Sequence, residues 1–455
     1  MIRAVLRSGA WLILLVLSFG VVAPASGSAS ARPAMLFVTP GGSDTGGCTR
    51  KAPCRSFAHA FATAPPGASV TVARGDYTTC EPITGSKRKF VTFVGIRGAR
   101  VVCPLLFEHA NHVEIRGVTL YQVITADSSY LRFSSLAITC SDSAPYALIP
   151  PAQLCDARLS LNDSDHLEFT DLSVGPTYDS SACGGEQTNV AFGLTNTTFK
   201  RVTFKDVRWQ AAPCGGGDGT DNQHSENFYF SGNGSPAMAV VFDSCRFTNG
   251  PKSGRVVSGP AADGRGPNSA SLFLTGKFSG LTVRNCVFDG VGGPAIDGAS
   301  DADIVNSLIE NNTWTRPAIF QYASYPSLSL INNLGAQQTC PISGSLGSSG
   351  GTFSHNLWYY GGSGGSADHC SKTDITVNGP GVEKSIFANY SAGNLRLKRG
   401  SPAVGRADPD RYPARDRAGV ARPQGKRADI GAFELPLKAK PKSKKKPKSA
   451  TKSKP

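Results

Sequence analysis

The chain repeats one short pattern: two alternating apolar residues, one small or polar residue, and two more alternating apolar residues. Alternation with a period of two is typical of β-strands, because successive side chains point to opposite faces. The small or polar residue shifts the alternation, so the chain bends while both halves keep their apolar groups inside. The clearest copies run over 113–120, 131–138, 167–174, 202–209, 240–247 and 281–288, and fainter ones lie near 304–309 and 328–332.

Such units cannot bury their apolar face alone, which predicts that successive copies stack as coils of one solenoid. Gaps of about 18 to 24 residues separate several copies; gaps of about 35 to 41 residues leave room for a coil plus a surface loop, or for two coils. The predicted fold is all-β, a right-handed parallel β-helix. Phe133, Phe169, Phe204 and Phe242 are expected to share one continuous internal column.

Polar residues between the apolar positions favour the same stacking. Neighbouring coils lie about 4.8 Å apart, so opposite charges at equivalent outward positions would face each other. The predicted charge neighbours are Glu114, Arg132 and Glu168 at the first outward position, and Lys205, Asp243 and Arg284 at the second. Asparagines at the bend position predict a side-chain amide ladder formed by Asn285, Asn306 and Asn332.

The first residues have the composition of a secretory signal. Arg3 and Arg7 precede the apolar stretch Trp11–Val22, and small residues follow at Ala23–Ala25 and Ala29–Ala31. Because a spanning helix needs about twenty apolar residues, the segment 1–31 is interpreted as a cleaved signal peptide; a short membrane tether is the alternative. No transmembrane segment is expected after its removal, so the mature protein is predicted to be secreted or displayed at the cell surface.

Twelve cysteines fit an oxidising compartment. No Cys-x-x-Cys step and no histidine pair at ligand spacing indicates a zinc site. Short loops suggest the pairs Cys48 with Cys54, Cys80 with Cys103, Cys140 with Cys155, Cys183 with Cys214, and Cys340 with Cys370. Cys245 and Cys286 occupy one inward slot and are interpreted as two buried thiols or a strained disulfide.

The net charge of +14 is concentrated at the two ends. Nine lysines follow Glu434 and two arginines lie in the signal segment, which leaves about +3 for the folded part. This argues against specific nucleic-acid binding, which needs a basic folded face. The tail 436–455 is rich in Lys and Pro and is predicted to be disordered. Outside a cell it would attract anionic wall polymer or lipid headgroups, or simply aid solubility.

Both ends of the expected domain, 32–435, carry recognisable motifs. Phe37–Tyr77 contains a strand, a Gly-Gly-Ser-Asp turn, a Pro-Cys step with a short helix, and a strand ending in Gly-Asp-Tyr. Ser401–Glu434 contains SPAVGRADPD and RADIGAFE. In these features the chain resembles exported right-handed parallel β-helix proteins of the pectate-lyase-like superfamily, of the bacterial type without an assigned function.

The resemblance implies an N-terminal cap of about 36–77, with a helix over Ser56–Ala64 that covers the open end of the solenoid. It also implies a closing segment of about 401–434 with a final turn and strand, in which Asp416, Arg422 and Asp429 tie loops together. The superfamily includes lyases, hydrolases, epimerases and proteins without known chemistry. The resemblance therefore implies a fold and no particular activity.

The densest polar group lies in the sequence CGGGDGTDNQHSEN, at Cys214–Asn227. With one arginine from the loop 249–270, it supplies the predicted catalytic residues Asp218, Asp221, His224, Glu226 and Arg265. Carboxylates and a histidine can transfer protons, and an arginine can neutralise a uronate or a developing oxyanion. The alternative is loop structure, because Gly, Asp and Asn favour tight turns. No cofactor is required; Asp218 and Asp221 are the expected ligands should Ca²⁺ bind.

Two hypotheses follow for function. The first is a secreted lyase or glycoside hydrolase that acts on extracellular polysaccharide through these loops. The second is a non-catalytic envelope protein that binds glycan or wall polymer and uses the solenoid as a rigid rod. The acidic trio of pectate lyases and the aspartate pairs of polygalacturonases are not found in the sequence, which disfavours pectin as the substrate.

Overall fold

The structure, a computed structural model, describes residues 34–139, 158–175, 177–179, 189–205, 207–209, 228–249, 271–290, 295–299, 301–315, 325–336, 340, 351–362 and 369–436. Its contacts separate Met1–Pro33 from Ala34–Pro455. The expected signal peptide and the lysines beyond Pro436 lie outside the described residues. Within the described ranges, no helix has the length and apolar character needed to span a membrane.

Strands dominate the described chain. The first are β1 (Met35–Val38), β2 (Ser69–Val72), β3 (Gly75–Tyr77), β4 (Ile83–Gly85), β5 (Val91–Gly95), β6 (Ala99–Arg116), β7 (Thr119–Ala126), β8 (Ser129–Ser134), β9 (Ala137–Ile138), β10 (Leu159–Asn162), β11 (Asp165–Thr170), β12 (Ser173–Val174), β13 (Thr177–Asp179), β14 (Asn189–Phe192), β15 (Thr198–Lys200), β16 (Thr203–Phe204) and β17 (Val207–Trp209). One helix, α1 (Phe57–Thr63), lies between β1 and β2.

The later part of the chain continues in the same way. Its strands are β18 (Phe228–Met238), β19 (Val241–Asp243), β20 (Arg246–Asn249), β21 (Leu272–Ser279), β22 (Thr282–Arg284), β23 (Val287–Gly290), β24 (Ile296–Gly298), β25 (Asp303–Val305), β26 (Ser307–Glu310), β27 (Thr313–Trp314), β28 (Leu328–Ile331), β29 (Leu334–Ala336), β30 (Phe353–Ser354), β31 (Leu357–Tyr360), β32 (Ile375–Asn378), β33 (Phe387–Asn389) and β34 (Asn394–Leu397). A second short helix, α2 (Glu383–Ile386), and a 3-10 turn at Tyr390–Ala392 lie near the end.

Parallel pairing arranges most of these strands in three strips along one axis. Strip A includes β8, β11, β15, β19, β22, β26, β28 and β30. Strip B includes β9, β12, β16, β20, β23, β27, β29, β31 and β32. Strip C includes β10, β14 and the starts of β18 and β21.

The coils from β10 to β27 pass through strip C, strip A and strip B in that order. We call the bend from C to A corner 1, the bend from A to B corner 2, and the connection from B to C corner 3. Such parallel crossovers are right-handed, and the predicted right-handed parallel β-helix is confirmed. Each long gap holds one coil plus an insertion, since Ser134, Thr170, Lys200, Asp243 and Arg284 are successive partners.

Stacked phenylalanines fill the interior along strip A. Phe133, Phe169, Phe199 and Phe242 stack nearly parallel, with centroid distances of 5.0, 4.8 and 4.7 Å. All four side chains are fully buried in one continuous core. Since offset-stacked rings at this spacing attract each other, the column joins coils that lie far apart in sequence.

Phe204 belongs to the same core but not to this column, so its predicted position was wrong. It lies in strip B and stacks on Phe247 at 4.8 Å. The chain contains Thr-Phe-Lys twice, at 198–200 and 203–205. Alternation alone cannot choose between the two copies, whereas strand pairing places Phe199 beside Phe169.

The same register error, between the two Thr-Phe-Lys copies, explains one wrong prediction in the charge ladders. Arg132 pairs with Glu168 at 3.0 Å and Arg284 with Asp243 at 2.9 Å, as predicted. The strand neighbour of Asp243 is Lys200, however, and not Lys205. The Arg132–Glu168 pair is about half exposed, and such a surface pair contributes about 0.2–1 kcal/mol. Asp243 is less exposed, at 15%.

A polar ladder lies inside corner 2 along the later coils. Its members are Cys245, Cys286, Asn312, Asn333, Asn356 and Asp374. At each asparagine, the side-chain oxygen accepts the backbone N–H of the preceding member, and the amide donates to a strip A carbonyl. Asn333 Oδ1 accepts from Asn312 N at 3.1 Å, and Asn333 Nδ2 donates to Ile309 O at 2.8 Å.

The predicted amide ladder of Asn285, Asn306 and Asn332 was therefore misplaced. Asn285 and Asn332 occupy the residue just before the inward slot, with φ of 52° and 57°. Asn306 lies at corner 1 with φ of 49°. Where two asparagines are adjacent, as at Asn332–Asn333, the sequence pattern does not show which of them points inward.

The two buried thiols take part in this ladder and do not form a disulfide. Cys286 Sγ accepts the N–H of Cys245 at 3.3 Å, as an asparagine oxygen does. Cys245 Sγ donates to Phe199 O at 3.2 Å, and Cys286 Sγ donates to Phe242 O at 3.5 Å. Burial raises the pKa of the Cys286 thiol, which keeps its proton available for donation.

We expect Cys286→Ser to preserve the ladder, because a hydroxyl can donate and accept in the same directions. Cys286→Val should instead lower the free energy of unfolding by about 1–3 kcal/mol, the cost of leaving the buried Cys245 N–H without a partner. Urea unfolding of both variants measures the difference. Equal losses in the two variants would show that the thiol acts only as an apolar filler.

The expected N-terminal capping helix is present. Ser56 caps α1 by accepting from His59 N at 3.1 Å, and Phe57 of α1 stacks on Phe93 at 5.1 Å. Disulfides join Cys48 to Cys54, Cys80 to Cys103, and Cys340 to Cys370. The other predicted partners, Cys140, Cys155, Cys183 and Cys214, lie outside the described residues.

The closing segment, residues 401–434, packs along corner 2 of the later coils. Asp429 Oδ1 accepts from Gly405 N and Asp416 Oδ2 from Glu434 N, and buried Arg422 donates to Gly431 O at 2.7 Å. These residues join loops, as the resemblance implied. The final strand expected here is absent from the described segment, which is made of turns with one isolated bridge. Its several prolines lack the N–H that a ladder needs.

Along one column of corner 1, every coil from His112 to Asn306 has a residue in the left-handed region. In successive coils these are His112, Tyr130, His166, Asn196, Ala239, Gly280 and Asn306, with φ between 47° and 72°. Non-glycine residues other than Asn and Asp lose roughly 1–2 kcal/mol there. The three rings stack as two pairs, and Phe90 makes an edge contact with His112 at 5.1 Å; each ring pair returns about 0.5–1.5 kcal/mol. Histidine is also enriched in this conformation, so the ring contacts offset part of a cost that falls mainly on Tyr130.

Candidate functional site

The five predicted catalytic residues, Asp218, Asp221, His224, Glu226 and Arg265, lie outside the described residues, as do the expected calcium ligands Asp218 and Asp221. The strands that bound their segments are described. β16 and β20 precede the two segments and pair directly, and β18 and β21 follow them and pair directly. The two segments thus begin and end on neighbouring coils.

Corner 3 holds the long insertions of the chain. The connections from β9 to β10, from β16 to β18 and from β20 to β21 all start at strip B and end at strip C. β13 and β17 pair in parallel with each other as a separate short sheet, soon after β12 and β16. Because these insertions share corner 3, strip B and strip C are the two faces of the solenoid that border them.

An open groove of about 470 Å³ lies next to this region, on corner 2 and the outer face of strip B. Its floor contains the small side chains of Thr119, Ala137 and Ser173, which are neighbours on successive strands. Asp171 and Arg201 stand at its edge. Small outward side chains leave the backbone of four coils accessible, and this creates the groove.

In later coils the closing segment covers the same track. Asn285 Nδ2 donates to Arg415 O at 3.0 Å, and Asn332 Nδ2 donates to Arg411 O at 2.5 Å. The covering reaches the coil of Cys245, where Arg417 Nε donates to the Cys245 carbonyl at 3.3 Å. The next coil is that of Arg201, the first one that lines the groove. A segment of the protein that is built from turns therefore occupies one half of a track whose other half is open.

The groove edge carries one ion pair. Arg201 Nε and Nη2 donate to Asp171 Oδ1 and Oδ2 at 2.5 and 2.7 Å. The Arg201 hydrogen bonds hold the pKa of Asp171 below its usual value, and partial burial opposes this effect. Both side chains are nearly half exposed, at 47% and 44%, so the pair stabilises the fold only weakly. Any such contribution is lost as the pH falls below the ordinary carboxyl range.

Two arginines, Arg246 and Arg417, lie where the groove meets the closing segment. Arg246 Nη2 pairs with Asp289 Oδ2 at 2.6 Å, and burial lowers the pKa of Arg417 next to it. Among the described residues that line the groove, Asp171 is the one carboxylate and no imidazole is present. The described groove therefore offers hydroxyl, backbone and guanidinium contacts for binding, and any acid–base pair must come from elsewhere.

Metal ligation finds little support in the described ranges. Cys48, Cys54 and His59 lie close together there, but the two sulfurs form a disulfide, and His59 Nε2 lies 3.0 Å from Gly46 O. A disulfide sulfur is not a thiolate ligand. This group is a structural part of the N-terminal cap.

No family model matches the chain, and no curated protein matches it in sequence. Among solved structures it is similar to pectate lyase Pel9A, with 15% identity, coverage of 88% of this chain and 96% of that one, and a TM-score of 0.49. A rhamnogalacturonan lyase shows 13% identity, 83% and 97% coverage, and a TM-score of 0.42. The complex of XylC with xylose shows 9% identity, 88% and 98% coverage, and a TM-score of 0.44. These structural similarities do not identify an activity for this chain.

Proposed function

We propose that the protein is exported and binds an extended extracellular polysaccharide in the groove on corner 2 and strip B. The observation that carries the proposal is the closing segment, which corner 2 side chains hold along the same track. The open part spans the coils from Gly117 to Arg201, a length of about 14 Å at one strand spacing per coil. A linear polymer with many hydroxyl groups suits a narrow floor of small polar side chains.

Export is supported by the three disulfides, which persist in oxidising compartments. The signal peptide expected at 1–31 fits the same location. In this proposal the Lys-rich tail adds attraction to anionic wall polymer or lipid headgroups, an interaction that salt would screen.

Cleavage of the bound chain, by elimination or hydrolysis, is proposed to use Asp218, Asp221, His224, Glu226 and Arg265. The support is positional, because their segments begin and end on neighbouring coils at the border of strip B. The second candidate is a non-catalytic envelope protein that binds glycan. It is favoured by the groove itself, where the one described carboxylate, Asp171, is held by Arg201.

Ser173→Trp should weaken polysaccharide binding at least tenfold, because an indole on the floor fills the groove. The matched control is Ser134→Trp, on the outer face of strip A. Affinity electrophoresis of the full chain against a panel of neutral and acidic polysaccharides measures both. Equal retardation of the two variants and the parent would place binding elsewhere, and no retardation by any polysaccharide would refute the proposed function.

Catalysis is tested with the same panel by absorbance at 235 nm, which detects unsaturated uronate, and by reducing ends. Activity that disappears in His224→Ala and Asp221→Asn, with binding unchanged, is the result expected of an enzyme. Silence in both assays, with binding that Ser173→Trp removes, would favour the non-catalytic candidate.

A further inference from the structure

Three aromatic rings form a column on corner 1, on a different corner from the groove. The ring of Tyr130 lies 4.9 Å from that of His112 and 4.5 Å from that of His166, with interplanar angles of 14° and 20°. Tyr130 is 40% exposed, and the His166 side chain is 43% exposed. The stacked faces cover each other, so the ring edges with their polar atoms face outward.

Each imidazole in this ring column is held by its neighbour in sequence. Asp165 Oδ2 binds His166 Nδ1 in a short contact, and Asn111 Oδ1 lies 3.2 Å from His112 Nδ1. Asp165 is itself fixed, since its Oδ1 accepts from Thr195 Oγ1 at 2.5 Å and Asn196 Nδ2 at 2.9 Å. Since Nδ1 is engaged in both rings, Nε2 remains as the outward atom, and it has no hydrogen-bond partner among the described residues.

The turn does not require rings. The same left-handed position holds Asn196, Ala239, Gly280 and Asn306 in the following coils. Asparagine and glycine adopt this conformation at the lowest cost, and a bulky residue such as Tyr130 adopts it at a higher one. Strained residues that the fold itself does not need are typical of functional positions.

The charges around the ring column restrict its ligand. Asp127 and Asp163 are exposed at the same corner, and Asp165 lies against His166. Partial burial opposes, but does not outweigh, the hydrogen bonds from Thr195 and Asn196 that lower the pKa of Asp165. On strip A, the charges of Arg132 and Glu168 compensate each other. At the other end of the ring column, Phe90 lies 5.1 Å from His112, Arg132 lies over the Phe90 ring, and Arg88 and Lys89 are exposed just before it. Because charges of both signs surround the column, neither a polyanion nor a polycation is favoured, and a neutral, hydroxyl-rich chain is the suitable ligand.

We propose that His112, Tyr130 and His166 form a second glycan-contacting site, which binds a neutral polysaccharide running parallel to the solenoid axis. Two imidazole Nε2 atoms and one phenol hydroxyl, one per coil, are hydrogen-bonding groups repeated at about one strand spacing. The inference rests on the proposed function, since it assigns a second contact surface for the same class of ligand.

The decisive variant replaces all three rings with asparagine, the residue that follows in the same column. Affinity electrophoresis against dextran, galactomannan and arabinoxylan should show at least fivefold weaker binding of the neutral chain that the parent retains best. The thermal midpoint should be no lower than that of the parent. Tyr130→Phe keeps the ring and loses the hydroxyl, so it should weaken binding without a change in thermal midpoint.

Modification by diethyl pyrocarbonate locates the contact directly. Saturating neutral polysaccharide should slow modification of His112 and His166 at least threefold, as read by peptide mass spectrometry, with His369 as the internal reference. Unchanged modification together with unchanged affinity of the triple variant would overturn the second site. If Ser173→Trp still removes binding in that case, the groove proposal survives. If no polysaccharide binds the parent, both proposals fail together.

Discussion

Asn333→Ala should lower the free energy of unfolding by about 4 kcal/mol, because it removes the middle of the buried ladder at corner 2. The change leaves the Asn312 backbone N–H without a partner, removes the amide that donates to the Ile309 carbonyl, and adds a small cavity. Each buried unsatisfied group costs about 1–3 kcal/mol. Urea denaturation followed by circular dichroism measures the loss.

Asn394→Ala is the matched control, since this asparagine is exposed and its side chain accepts one local bond from Arg396 N. We expect a change below about 0.5 kcal/mol in the control. If both variants unfold at the same urea concentration, the ladder contributes nothing to stability, and its buried hydrogen bonds cannot hold corner 2 together.

Phe169→Ala should cost about 3–5 kcal/mol, the range for deleting a buried aromatic side chain. Phe169 stacks on both Phe133 and Phe199 and is fully buried. Its loss opens a cavity that neighbouring coils cannot close, because their backbones are fixed by the strand ladders on both sides. The thermal midpoint should fall with the free energy of unfolding.

Ile96→Ala provides the comparison for this variant, since Ile96 is a large apolar side chain that is 51% exposed. The alanine there should change stability by less than about 0.5 kcal/mol. A Phe169→Ala protein as stable as Ile96→Ala would mean that Phe169 lies at a surface, which contradicts the continuous phenylalanine column.

The coil pattern could be read from the sequence because period-two alternation and a bend residue leave few alternatives. The copies at 131–138, 167–174 and 240–247 lie in strips A and B as predicted. The register failed at 202–209, where the repeated Thr-Phe-Lys offers two equivalent fits. Hydrogen bonding between coils decides such a case, and a single-sequence pattern does not contain that information.

The groove was missed, although its signal is present in the chain. The first outward residue of strip B is small at Thr119, Ala137 and Ser173, then becomes large at Arg246 and Leu334. The fold is predicted from the inward apolar positions. The change in size at the outward positions gives no such signal, because these residues look like ordinary solvent-facing residues. The covering of the later coils depends on a segment more than a hundred residues away, as in the Asn285 to Arg415 bond.

Which half of the track is covered has a physical basis. Corner 2 carries Asn285, Asn311 and Asn332 where the closing segment lies, and their amides satisfy its backbone carbonyls. In the open half, the corner residues include Asp171 and Arg201, which satisfy each other. These two corner side chains therefore need no hydrogen bond from another segment of the protein, and the open half is available to a ligand.

The most direct test of the account is one distance between spin labels on strip A. Arg116 and Arg284 are linked by five successive strand partnerships, which places their backbones about 24 Å apart at 4.8 Å per step. Arg116→Cys and Arg284→Cys carry the labels, and the parent, whose unpaired described thiols Cys245 and Cys286 are buried, is the labelling control. Pulsed electron resonance should give a single distance near 24 Å plus the label linkers. A distance near 38 Å, the value for an extra coil in each of the three long gaps, or a broad distribution, would contradict the stacking of one coil per repeat.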